Sequence, residues 1–217
     1  LKKKVRKHMY IYYPSCNFSI ASPETAKTVR NLLKEKMTVA GCCLRDQREI
    51  HEDDIGVYFC QHCRETIEDK IKTMSLWEYI DSLEDFAFPD YNHEKMLLQD
   101  CYRDRNHPEI HKAVRSILHK MNVDVVEAKR NKEKSVYCGT LHYETEDHAL
   151  LEKLKAYPDT KISALPLELQ KELMKDNFKD VDFDMPIIVD CNRCLKGVEL
   201  AERNGIHLLN LVMKNYL

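Results

Sequence analysis

Nine cysteines stand in this chain of 217 residues, and their order has a pattern. Cys16, the adjacent Cys42 and Cys43, and the pair in Cys60-Gln61-His62-Cys63 form one series. Cys101, Cys138 and the pair in Cys191-Asn192-Arg193-Cys194 form a second, and the two series use every cysteine. Four or five thiolates converging on one point repel one another unless a cation neutralises them. Zinc and iron–sulfur clusters are the soft groups that thiolates select, so metal binding is the chemistry this arrangement points to. A disulfide scaffold is the poorer explanation, because the count is odd and the chain is long enough to bury a core without staples. The basic block Leu1–Lys7 lacks the apolar stretch of a signal peptide, so a reducing, cytoplasmic setting is expected.

The elements that must position these residues alternate between strand and helix. An aromatic, β-prone run from Met9 to Tyr13 leads to Cys16. Ser22-Pro23-Glu24 opens a helix striped by Ala26, Val29, Leu32 and Leu33. Thr38-Val39-Ala40 precedes Cys42, Val57-Tyr58-Phe59 delivers Cys60, and a helix is expected from Arg64 to about Met74. The second half repeats the order. A strand over Met96–Asp100 reaches Cys101, and Asn106-His107-Pro108-Glu109 opens a helix carrying Ile110, Val114, Ile117, Leu118 and Met121. Val123–Val126 follows as a strand, then Tyr137-Cys138-Gly139 and a helical insertion over about Thr145–Asp176. Ile187-Ile188-Val189 runs into Cys191, a helix is expected over Leu195–Asn204, and Ile206–Val212 reads as a last strand. This pattern predicts an α/β architecture of two pseudo-repeated strand–helix units with short parallel sheets, the metal sites lying at the C-terminal ends of strands. The first half is expected to span residues 1–88 and the second 89–217, dividing near Phe86-Ala87-Phe88-Pro89-Asp90.

Composition narrows the function. Lys+Arg and Asp+Glu nearly balance at a formal net charge of −2, which gives no global pull toward nucleic acid. No run reaches the ~20 apolar residues that cross a bilayer, so no membrane span is expected. Only five glycines occur and none forms a phosphate loop, which argues against a flavin or nicotinamide on this chain. Electrons would then come from a redox partner protein, a flavoprotein or a ferredoxin-type subunit.

The ordered spacing resembles the cysteine-rich CCG domain, the duplicated module of the heterodisulfide reductases and of iron–sulfur subunits in glycolate and lactate oxidation. Tyr13-Pro14-Ser15-Cys16, Gly41-Cys42-Cys43 and Cys60-Gln61-His62-Cys63 match a first copy. Asp100-Cys101, Tyr137-Cys138-Gly139 and Cys191-Asn192-Arg193-Cys194 match a second. The resemblance implies an electron-transfer oxidoreductase or oxidoreductase subunit acting on a thiol, a disulfide or a small organic acid system. It implies a 4Fe-4S cluster, in the family an unusual non-cubane one, on Cys16, Cys42, Cys43, Cys60 and Cys63. The chain departs from the pattern where Leu44 replaces the glycine after Cys43 and where Tyr137 replaces the first cysteine of the second pair. The second set, Cys101, Cys138, Cys191 and Cys194, thus has four ligands, enough for an ordinary 4Fe-4S cluster or a closed zinc site.

In the first set a fifth sulfur could bridge irons or attack a disulfide, which makes the adjacent Cys42 and Cys43 the candidate catalytic residues. Two other readings fit the same residues: a zinc-stabilised, non-enzymatic scaffold that binds a protein through its insertion, and a metal-free dithiol oxidoreductase. His62 reads as solvent-facing, Arg193 as a counter-charge to thiolate, and His142 as a candidate proton donor. His107, His111 and His119 read as solvated, whereas Trp77, Tyr79 and Phe86 read as core. Tyr12 and Tyr13 would shield a cluster or simply pack their strand.

Overall fold

The computed structural model describes residues 9–217; the basic block Leu1–Lys7 lies outside the described residues. The fold is α/β, built on two four-stranded sheets whose pairings are all parallel. Two compact units divide the chain, one reaching to Ala87 and including Met213–Leu217, the other spanning Phe88–Val212.

In the first unit, β1 (Tyr10–Tyr13), β2 (Thr38–Val39), β3 (Ile55–Tyr58) and β4 (Lys72–Ser75) lie in the order β2-β1-β3-β4. The two central strands bury Ile11, Tyr12, Tyr13, Val57 and Tyr58, as expected of strands covered on both faces. The expected helix after Ser22 is α2 (Pro23–Leu33), with Pro23 in the first turn and Val29 and Leu33 buried. A short α1 (Cys16–Ala21) precedes it where a loop was expected; Ser15 caps it, its Oγ accepting from the Phe18 N–H at 3.2 Å. The helix expected over Arg64–Met74 is shorter, α3 (Gln61–Ile67), and the chain then becomes β4. Ser75 and Glu78 form a reciprocal capping box that starts α4 (Leu76–Asp81). Trp77 and Tyr79 are core residues, and Phe86 packs on Tyr216 with ring centroids 5.2 Å apart.

The second unit repeats the sheet order as β6-β5-β7-β8, from β5 (Lys95–Leu98), β6 (Asp124–Glu127), β7 (Ile187–Val189) and β8 (Gly205–His207). α5 (Pro108–Lys120) buries Ile110, Val114, Ile117 and Leu118, each contributing ~1.5–3 kcal/mol by leaving water. The same face carries His111, only 5% exposed, so this histidine is not solvated as its spacing suggested. The insertion is two helices, α6 (His148–Leu154) and α7 (Leu167–Asn177), separated by an irregular segment around Pro158. α8 (Asn192–Leu200) begins at the second cysteine pair. The expected last strand is divided, because β8 ends at His207 and α9 (Leu208–Val212) follows. The His207 ring causes the switch by accepting the Leu209 N–H on Nδ1 at 3.2 Å. Among the described residues no helix is long and apolar enough to cross a membrane.

Candidate metal centres

Four segments bring the second cysteine set together. Cys101 lies three residues beyond β5, and Cys191 caps the N-terminus of α8, whose first turn carries Cys194. Cys138 comes from a tight loop closed by its own N–H donating to the His142 carbonyl at 2.7 Å and by a bridge between Tyr137 and Tyr143. The four sulfurs all lie within 4.8 Å of one another, and the Cys101 and Cys138 Sγ atoms are 3.4 Å apart. Cys101, Cys138 and Cys194 are fully buried; Cys191 is partly exposed. A single tetrahedral ion with metal–sulfur bonds of ~2.3 Å needs sulfurs ~3.8 Å apart, so the set fits one ion. A cubane cluster binds each thiolate to a different iron and spreads the sulfurs further than a single ion does.

The electrostatics agree with the donor chemistry. Cys191 is held well below the usual thiol range, first by the Cys101 thiol and then by Cys138 and Cys194. Cys101 is pushed up, chiefly by Cys138, and Cys194 is pushed up by burial. One thiolate is therefore easily held, and more than one calls for a cation. Asp190, beside Cys191, is raised to about 8 by burial, then by Cys191 and Asp100.

Several residues that build this site were not singled out by spacing. Tyr137 is fully buried, its hydroxyl donating to the Cys194 carbonyl at 2.9 Å, so it ties the Cys138 loop to the first turn of α8. Two glycines make room for this arrangement. Gly139 has φ +46°, and a Cβ there would stand 1.9 Å from the Arg193 carbonyl oxygen; at Gly197 it would stand 2.3 Å from the Tyr137 hydroxyl. Asp100 anchors Cys101: Arg115 donates to its carboxylate at 2.7 and 3.1 Å, and the Lys132 N–H at 2.8 Å. From the insertion, Leu169, Leu173 and Met174 of α7 join Cys101, Cys138 and Cys194 in one buried cluster. The insertion thus packs over the buried side of the site.

The first set is looser. Cys60 caps the N-terminus of α3 and Cys63 lies in its first turn, matching Cys191 and Cys194 on α8. Cys63 is pushed up, first by Cys60, then by burial and by Cys43, so these three sulfurs interact. Cys16, exposed at the start of α1, is raised by burial and by Cys42, which is itself lowered by the Leu44 N–H. Cys43 acts on both Cys16 and Cys63, so it links the Cys16–Cys42 pair to the Cys60–Cys63 pair. The five do not form a tight set like the one in the second unit. Tyr12 and Tyr13 are both buried beside it; burial raises both, with Cys63 acting on Tyr12, while Tyr13 reaches about 12 with Asp46 and Cys43 contributing.

The neighbouring polar residues take plain positions. His62 faces solvent. Arg193 bonds the Thr140 hydroxyl at 3.4 Å, and His142 pairs with Glu144 at 3.0 Å while its ring stacks 3.8 Å from Tyr102. His107 pairs with Glu109 at 2.8 Å. No protein-family model matches the chain, and no curated protein resembles it to a significant degree.

Proposed function

We propose that this chain is a two-site metal–thiolate protein, with a closed single-ion site in the second unit and an electron-transfer site in the first. The observation that carries the reading is the convergence of Cys101, Cys138, Cys191 and Cys194 within 4.8 Å, three of them buried. Zinc suits that set best: it is four-coordinate, redox-inert and stabilised by a closed thiolate shell, so its role is to hold the fold around α7 and α8. The second unit is then the rigid part of the protein.

For the first unit, the proposal is an iron–sulfur site of the CCG-domain kind, serving a thiol, disulfide or small organic acid redox system through a partner protein. Five thiols, one more than a single tetrahedral ion takes, with Cys16 exposed and Cys42 partly so, favour this over a second structural zinc. A cluster would supply single electrons there. Cys43 and Cys63 would anchor it from the buried side with the partly exposed Cys60 beside them, Tyr12 and Tyr13 would keep water from that side, and Cys42 would face an incoming disulfide.

Iron, zinc and acid-labile sulfide measured on protein purified without oxygen test both halves, beside Cys43→Ser and Cys194→Ser. The expected result is one zinc per chain lost only in Cys194→Ser, and iron with equal sulfide lost only in Cys43→Ser. Zinc without sulfide would leave a structural scaffold, and neither metal would leave a dithiol protein.

A further inference from the structure

We propose that the second unit carries a small-molecule site, separate from its thiolate set, for a flat heteroaromatic lactam that is neutral or cationic. A cavity of about 350 Å3 lies among the ends of β5 and β6 and the segment joining α7 to β7. That volume falls in the range of small-molecule sites, ~300–1,000 Å3. Its apolar lining includes Leu97, Val126, Val181 and Met185, and two rings, Tyr143 and Phe178, complete it. Aromatic walls favour a flat, π-bearing ligand.

The polar groups narrow the class. Gln99 is buried, its Nε2 donating to the Asp100 carbonyl at 3.0 Å and its Oε1 accepting from the Asn177 Nδ2 at 3.0 Å. This chain fixes the Asn177 amide at the cavity wall and leaves its Oδ1 and second N–H for a ligand. One donor beside one acceptor is complementary to the N–H and C=O of a lactam. Charge excludes anions: the lining has five carboxylates, Glu127, Glu146, Asp176, Asp180 and Asp182, against Lys129, Arg130 and Lys179. Arg130 pairs with Glu146 at 3.7 Å, Lys179 with Asp176 at 2.8 Å and Glu127 with Arg115 at 2.6 Å, which leaves Asp180 and Asp182 against Lys129. Selectivity against an anion follows from this imbalance.

The test titrates the full, metal-bound, 15N-labelled chain with isoquinolone, a neutral bicyclic lactam. The signals followed are the Asn177 side-chain amide and the backbone amides of Val126, Phe178 and Val181. The expected result is saturable shifts at these positions. N-methyl isoquinolone, which lacks the donor, should bind about tenfold more weakly, the factor expected for one lost hydrogen bond. Asn177→Leu should weaken isoquinolone by about the same factor and erase its advantage over the methylated probe, and Val181→Trp should fill the cavity and abolish binding. No saturable shift at millimolar probe, equal binding of the two probes by the unmodified chain, or equal binding of a carboxylated isoquinolone would overturn the proposal. Should Val181→Trp fail to fold, the probe comparison on the unmodified chain decides. Each comparison is between probes on one preparation, and where iron in the thiolate set broadens the amide signals the same probe comparison is read by calorimetry, so the outcome tests the cavity whichever metal the thiolates hold.

Discussion

The two units share a sheet order and a cysteine order, yet they treat the middle of the series differently. In the first, Cys42 is partly exposed and Leu44, which follows the pair, is 67% exposed. In the second, Tyr137 and Cys138 are both fully buried, and Gly139 turns the chain back through a left-handed conformation. One aromatic ring in place of one thiol, with a glycine to let the loop turn inward, accompanies a closed four-sulfur set rather than an open five-sulfur one. A closed set suits an ion that must stay, and an open one suits sulfurs that must react. Topology places the cysteines, and the residues between them decide what the site is for.

Removing a ligand should separate the two units most sharply. Cys194→Ser leaves two buried thiols and the partly exposed Cys191 without a fourth ligand, and the melting temperature of the second unit is expected to fall by about 10 °C or more. Cys16→Ser, at an exposed position, should change stability by no more than ~0.5 kcal/mol while abolishing the electron transfer proposed for the first unit. Calorimetry with an electron-transfer assay checks both; the opposite assignment would break the comparison.

Next comes the ring itself. Tyr137→Cys introduces a fifth thiol but empties the space that the ring shares with Phe178, 5.3 Å away between centroids. A cost of ~3–5 kcal/mol is expected in urea unfolding of the metal-bound protein. Full stability in that variant would mean that the thiol, not the ring, belongs to the site.

A smaller difference should appear with pH. Burial lowers the His207 pKa to about 4 from an ordinary 6.5, so the folded chain keeps the ring neutral while the unfolded chain protonates it. Stability present above pH 6.5 is therefore lost as pH falls toward 4, by ~3 kcal/mol at most. His111, also lowered by burial, acts in the same direction. Among the described residues the first unit buries no histidine, so this loss belongs to the second. Urea midpoints of the metal-free protein across this range should slope with pH and flatten in His207→Gln. The smallest effect belongs to the residues inside the cysteine pairs. Arg193→Ala gives up its bond to Thr140 and should cost ~0.5–1 kcal/mol, whereas His62→Ala should be neutral within ~0.5 kcal/mol.

Periodicity and spacing made much of this legible. The apolar stripes of α2 and α5, the runs Val57–Phe59 and Ile187–Val189, and the two-unit parallel α/β plan could all be read from residue order. Short elements were harder: α1, α4 and β4 span no more than six residues each, too few for a period to show, and capping by Ser15 or Ser75 sets their limits. His207 ended a strand through a side-chain bond that no hydropathy pattern records. At the site, the cysteines announced themselves, but Asp100, Arg115 and Tyr137 act through distant partners. The Arg115 pairing to Asp100 spans 15 residues and the Tyr137 bond to Cys194 spans 57. Such couplings are set by tertiary packing rather than by local sequence.

The wide separation along the chain of Cys101, Cys138 and the Cys191–Cys194 pair also bears on how the second unit assembles. Cys101 and Cys138 are 37 residues apart, and Cys138 and Cys191 lie 53 apart by difference of their numbers. An ion joining them acts as a cross-link that closes two long loops, and the entropy of closure grows only slowly, by ~0.6 kcal/mol per doubling of length. The neighbouring Cys191 and Cys194 can engage a metal early, whereas Cys101 and Cys138 join them only once β5 has paired with β7. Completion of the four-ligand shell is therefore expected late in folding, and a chain kept from metal should collapse at its usual rate yet remain loose around α7 and α8.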